Sequence, residues 1–141
     1  MSAQPTPGAE CRPGLDIVTV RPTDAVMTMQ RLPYFVGVSG QTTGARAISM
    51  NLVVIPAGGA AEPHYHRGYE TAIYILKGRV LTKYGDGLKR DVVNEEGDFL
   101  FIPPGLPHQP VNLSATETAL AIVARNDPAE QESVVKYDPG T

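Results

Sequence analysis

The sequence predicts an all-β domain, a sandwich or barrel, and three observations predict it. Short runs rich in Val, Ile, Leu, Tyr and Phe recur between clusters of turn residues, no segment sustains an apolar repeat of helical period, and the 141 residues include 14 glycines and 13 prolines. A chain of this length with no internal repeat makes one domain around one core. Residues 1–14 hold Pro5, Pro7, Gly8, Pro13 and Gly14 with hardly an apolar side chain between them, so they read as a flexible N-terminal arm. The domain then runs over residues 15–137, and residues 138–141 form a C-terminal tail.

Residues 15–20 are the first strand candidate, ended by Pro22. Residues 25–32 fit a short helix or a strand, with Met27 and Met29 as core filler. Residues 34–39 read as a strand between Pro33 and a turn over residues 40–44. The run 47–55 is long and β-prone, and its polar members Ser49 and Asn51 share one face, so both meet solvent or both meet a cavity. Pro56-Ala57-Gly58-Gly59 then turns the chain into a strand carrying His64 and His66. Residues 72–76 are unbroken apolar sequence, Gly78 interrupts, and Gly85-Asp86-Gly87 marks a hairpin between residues 80–84 and 91–94. Gly97-Asp98 leads into residues 99–102, and Pro103-Pro104-Gly105-Leu106-Pro107 forms a rigid bend that delivers His108. Residues 117–124 form the last long strand, and residues 134–137 add an edge strand.

The charge balance narrows the partners. A formal net charge of −3 with no run of Lys or Arg leaves no footprint for nucleic acid or an anionic membrane surface, and no segment approaches a membrane span. A small molecule is the expected partner. Arg46, Arg67, Lys77, Arg79 and Lys83 are scattered and read as surface solubility. The single cysteine, Cys11, cannot close an intramolecular disulfide, and the start of the chain lacks the apolar core of a signal peptide, so the expected location is cytoplasmic.

Residues 58–78 carry the chemistry. Strand alternation puts His64 and His66 on one face, with Tyr65 on the other, about 6–7 Å apart and able to lean onto one ion. Glu70, four residues beyond His66, can return a carboxylate to the same point. Two imidazoles and a carboxylate suit iron(II), manganese(II) or zinc rather than copper(I).

With these residues and the bend before His108 in hand, the chain resembles the cupin superfamily in both of its motifs. The first is a glycine, five residues, His-X-His, three or four residues, a glutamate, six residues and a glycine; Gly58, His64, His66 and Glu70 match it. Its end departs from the pattern, because seven residues separate Glu70 from Gly78, which suggests a different strand register or a bulge. Gly97, Pro103, Gly105, His108 and Asn112 fit every fixed position of the second motif. The resemblance implies a double-stranded β-helix, the jelly-roll barrel, with His64, His66, Glu70 and His108 as ligands of one divalent transition metal ion per chain. Iron or manganese is favoured, and zinc, nickel and cobalt suit the same donors. All three histidines of the chain stand at ligand positions. The resemblance also implies a homodimer.

Three imidazoles and one carboxylate leave an octahedral ion two open positions, enough for water, dioxygen or a bidentate oxygen ligand. With every histidine coordinated, the proton-transferring group must be Glu70 on detaching, a pocket tyrosine or a metal-bound hydroxide. Tyr74 shares strand parity with Glu70, which makes it the tyrosine candidate for the cavity, while a core role is its simpler reading. Glu62 reads as a rim carboxylate, and Asn112 as shaping either the pocket or a turn. The leading functional expectation is a metalloenzyme with dioxygenase-like chemistry on a small oxygen-rich molecule, such as a diketone, enediol or phenol. The alternatives are a non-oxidative isomerase, decarboxylase or lyase, and a non-catalytic binding module.

Overall fold

A computed structural model describes residues 15–28, 30–129 and 134–140. The expected arm, with Cys11, and Met29 lie outside the described residues. The strands are Val26–Met27 (β1), Pro33–Val38 (β2), Ser49–Ile55 (β3), His64–His66 (β4), Thr71–Lys77 (β5), Arg79–Tyr84 (β6), Arg90–Glu95 (β7), Phe99–Ile102 (β8), His108–Asn112 (β9), Ala119–Arg125 (β10) and Val134–Lys136 (β11). They form two antiparallel sheets, ordered β1-β2-β3-β10-β5-β8 and β11-β4-β9-β6-β7. This is the jelly roll expected from the motifs.

Alternation fixes what each strand buries. In β3 the inward residues are Ser49, Asn51, Val53 and Ile55, so the two polar side chains face the interior, where Asn51 Oδ1 accepts the Gly37 N–H at 3.1 Å. In β10 they are Ala119, Ala121, Val123 and Arg125, paired residue by residue with β3 on one side and β5 on the other. Leu32, Tyr34, Val53, Ile55, Ile75, Val80, Ala121 and Val123 make the apolar core. Opposite Leu120 and Ala121, β5 offers Lys77 and Ile75, so Leu76 is an extra residue absorbed as a register shift. Gly78 follows at φ 92°, and a Cβ there would stand 2.9 Å from the Ala119 Cβ, so both conformation and packing call for glycine.

Two local expectations change. Residues 15–20 make no more than a single bridge at Val20, and Leu15 and Ile17 are exposed, so this apolar run does not form a strand. Met27 is exposed in β1 rather than filling the core. The turn after β2 is a one-turn helix, Gly40–Thr43, held by a reciprocal cap between Ser39 and Thr42 and stopped by Gly44 at φ 79°. The hairpin between β6 and β7 forms, with Tyr84 opposite Arg90 and a short 3₁₀ turn at Asp86–Leu88.

Candidate metal centre

Three strand ends of the five-stranded sheet and the loops leading into them build the centre. His64 pairs across the ladder with His108, and His66 lies two residues along the same face of β4. All three imidazoles are buried, with ring centroids 4.4 Å (His64 to His108), 4.9 Å (His64 to His66) and 5.1 Å (His66 to His108) apart. One ring nitrogen from each lies within 4.8 Å of the others. The second motif is tied to the first by the bend itself, where the Gly105 N–H donates to the His66 carbonyl at 2.8 Å.

Each ring is also held from behind. His64 Nδ1 sits 2.6 Å from the Glu62 carbonyl and His108 Nδ1 2.8 Å from the Leu106 carbonyl. A carbonyl only accepts, so both Nδ1 atoms carry the proton, which leaves Nε2 as the ring atom that can offer a lone pair. His66 Nδ1 instead meets the buried Tyr69 hydroxyl at 2.8 Å. Burial pushes the His64 imidazole down from the ordinary value of 6.5 to about 4; the bond to the Glu62 carbonyl opposes this and the Arg125 charge adds to it. His66 is lowered further in the same direction, by burial first and then by the charges of Arg125, His64 and His108. Buried imidazoles that converge within a few ångströms, with His64 and His66 held toward the neutral form, are what a divalent transition metal requires, so the donor set fits such an ion.

The structure does not bring Glu70 into this set. Its side chain is exposed, outside the three-histidine cluster, and its N–H donates to Asn126 Oδ1 at 2.7 Å. The physical reason is parity. Tyr69 and Thr71 are 5% and 2% exposed and point inward, so the residue between them must point out. Counted back from Gly78 with the six residues the first motif asks for, the carboxylate position is Thr71. Tyr74 follows Glu70 to the outer face, where it is half-buried against the exposed Phe99 ring at 4.7 Å. It therefore does not face the cavity, whose β5 wall is Ile73 and Ile75. Tyr65 is half-buried on the face opposite the histidines, and Glu62 is a rim carboxylate 3.5 Å from Lys136. Asn112 serves the turns: its Nδ2 donates to the carbonyls of Ile55, Pro56 and Glu117 at 3.0, 3.2 and 2.8 Å.

Sequence reasoning missed three inward-facing residues, Tyr69 and Arg125 beside the centre and Thr71 across the ladder from Arg125. Tyr69 and Thr71 were signalled by the one-residue excess before Gly78. Arg125 was signalled by its parity with Ala119, Ala121 and Val123, although a terminal arginine on a strand reads as solvent-facing. It is 6% exposed, and its guanidinium donates to the Tyr34 hydroxyl at 3.2 Å, which also accepts from Gln30 Nε2 at 2.9 Å. A cavity of about 50 Å³ lies between the sheets, where a single water needs about 10–15 Å³. Its polar lining includes His64, His108, Gln30, Tyr34 and Arg125, and its walls are mainly aliphatic.

Known proteins share this fold. The family model for the cupin domain matches residues 51–124. A germin-like protein of Arabidopsis thaliana, subfamily T member 3, is 37% identical over 83 residues, which are 57% of this chain and 36% of that protein. This chain thus spans about a third of the length of that curated relative. Oxalate decarboxylase of Lactobacillus farciminis, in a formate complex, superposes with a TM-score of 0.67 at 20% identity, over 80% of this chain and 33% of that one. An oxalate oxidase bound to the substrate analogue glycolate gives 0.64 at 26% identity, over 77% and 56%. The polyketide cyclase RemF of Streptomyces resistomycificus gives 0.64 at 24% identity, over 84% and 77%.

Proposed function

The chain belongs to the cupin domain family, and from that premise we propose that it is a metal-dependent enzyme acting on a small oxygen-rich molecule, with dioxygen-dependent chemistry favoured. The observation that carries this reading is the convergence of three buried imidazoles, two of which line a mainly aliphatic cavity. A divalent iron or manganese ion bound there would supply Lewis acidity toward substrate oxygens and positions for small ligands. The chain's own residues do the rest. His64, His66 and His108 would hold the ion, their rings oriented by the Glu62 carbonyl, the Tyr69 hydroxyl and the Leu106 carbonyl. Leu32, Val53, Ile73, Ile75 and Val123 line the cavity with aliphatic surface that suits dioxygen.

A second reading is a non-oxidative decarboxylase, cyclase or isomerase. Its support is the likeness to oxalate decarboxylase and to a polyketide cyclase, which shows a shared fold. Elemental analysis of untagged protein, with oxygen uptake followed on the iron-loaded form, separates the two. Iron retained at about one per chain and oxygen consumed on a diketone, a catechol or a 2-oxo acid is the expected result. Turnover that proceeds equally without oxygen would move the protein to the second reading, and no metal under any loading condition would remove the centre itself.

A further inference from the structure

We propose that Arg125 and Thr71 form an anion-binding wall beside the three histidines, and that the molecule taken there is a small carboxylate with a neighbouring oxygen, a short 2-oxo or 2-hydroxy acid. The inference rests on the metal-centre reading and deepens it. Thr71 and Arg125 are direct partners across β5 and β10, and both side chains point inward. Thr71 stands where the first motif asks for a carboxylate, so the chain presents a neutral hydroxyl at that point instead of an anionic oxygen. That residue is 2% exposed and its Oγ1 finds no hydrogen-bond partner among the described residues, although a buried hydroxyl left without one is costly. One strand over, Arg125 lines the same cavity as His64 and His108, and its planar fork is fixed in direction by the hydroxyl of Tyr34, itself braced by Gln30.

A guanidinium is the side chain that receives a planar carboxylate in two-point contact, and a threonine hydroxyl donates to the same group. The ligand then brings an oxygen where Thr71 offers no anionic one. Its carboxylate meets Arg125, beside which Thr71 stands as the cross-strand partner, its second oxygen faces His64 and His108, and a short carbon tail meets Val53, Ile75 and Val123. A neutral analogue of the same shape loses the contact with the guanidinium and is rejected.

The test uses the full chain loaded with manganese(II), titrated by calorimetry with 2-oxobutanoate and with its neutral amide, while metal content is measured in parallel. Thr71→Val, Arg125→Gln and Arg125→Lys are compared with the wild type. The acid is expected to bind at least about tenfold more tightly than the amide, and Thr71→Val and Arg125→Gln to weaken the acid by about tenfold or more at unchanged manganese content. Arg125→Lys should recover part of the loss. Should Arg125→Gln fail to fold, Thr71→Val, which keeps the β-branched shape, and the acid-to-amide ratio of the wild type still decide. Equal binding of acid and amide by the manganese-loaded wild type, or unchanged acid binding in both variants, overturns the Arg125–Thr71 wall and leaves the metal centre standing. A wild type that takes up no manganese overturns the metal centre, and the wall with it.

Discussion

In the segment from Gly97 to Asn112 the spacing read from the sequence and the placement in space agree: His108 stands in the cluster and Asn112 pins the loops around it. In the segment from Gly58 to Gly78 they agree only as far as His66, and the carboxylate expected at Glu70 lies on the outside of the molecule. The two segments differ in what separates their parts. His64 and His66 are related by strand alternation alone, which has no slack, and His108 follows a run of prolines that leaves the backbone little choice. Between His66 and β5 lies a loop, Arg67-Gly68-Tyr69-Glu70, and across a loop a one-residue change of count inverts the face of everything after it. A pattern is therefore safest inside one strand and weakest across a turn.

The largest test of this contrast removes a strand-fixed ligand. His108→Ala should take bound metal from about one ion per chain to near none, and erase the rise in melting temperature that metal gives to the wild type. Full metal content in that variant would break the contrast at its firm end. Next in size is the acid response of the metal-free protein. His64 titrates near 6.5 when unfolded and near 4 when folded, so between these values the unfolded chain binds more protons. The associated stability is complete above about pH 6.5 and is lost as pH falls toward 4, on the order of 3 kcal/mol, with His66 adding in the same direction. Urea midpoints of metal-free protein at about pH 7.5 and about pH 4.5 should therefore separate clearly, and coincident midpoints would mean the imidazoles are not buried as described.

Smaller effects sharpen the contrast in the loop itself. Tyr69→Phe removes the hydroxyl behind His66 and should weaken metal affinity about 10- to 100-fold while leaving the fold intact, a change read by competition with a chromophoric chelator. Unaltered affinity would mean that the hydroxyl does not orient the ring. The smallest effect belongs to the residue the spacing first nominated. Glu70→Gln should leave metal affinity unchanged and stability within about 0.5 kcal/mol, as for an ordinary surface site. A large loss of metal in that variant would return the glutamate to the centre.

Most of the architecture was legible because strands announce themselves. The hairpin at Gly85-Asp86-Gly87, the edge strand near residue 135 and the shared face of Ser49 and Asn51 follow from turn chemistry and period-two alternation, while the structure decides that this face is the inward one. His64 and His66 were legible for the same reason, and His108 through the resemblance of the second motif. Residues 15–20 misled because β-prone residues make a strand only when a neighbour offers a ladder, and that depends on topology rather than on local sequence. Tyr69, Thr71 and Arg125 stayed hidden because their importance lies in register. Thr71 and Arg125 are 54 positions apart in the chain and meet only through the pairing of β5 with β10. Glu70 drew attention by its chemistry, although the interval to Gly78 was already pointing to its neighbour.

The anchoring of the imidazoles has a consequence for how this protein tolerates change. Two of the three rings are oriented by main-chain carbonyls, those of Glu62 and Leu106. Every amino acid carries a carbonyl, so side-chain replacement at these two positions cannot delete the anchor, and drift there passes unnoticed by the centre. The third ring relies on a phenol that only one residue type supplies in that shape. The genetic vulnerability of the anchoring shell is thus concentrated in a single codon, that of Tyr69.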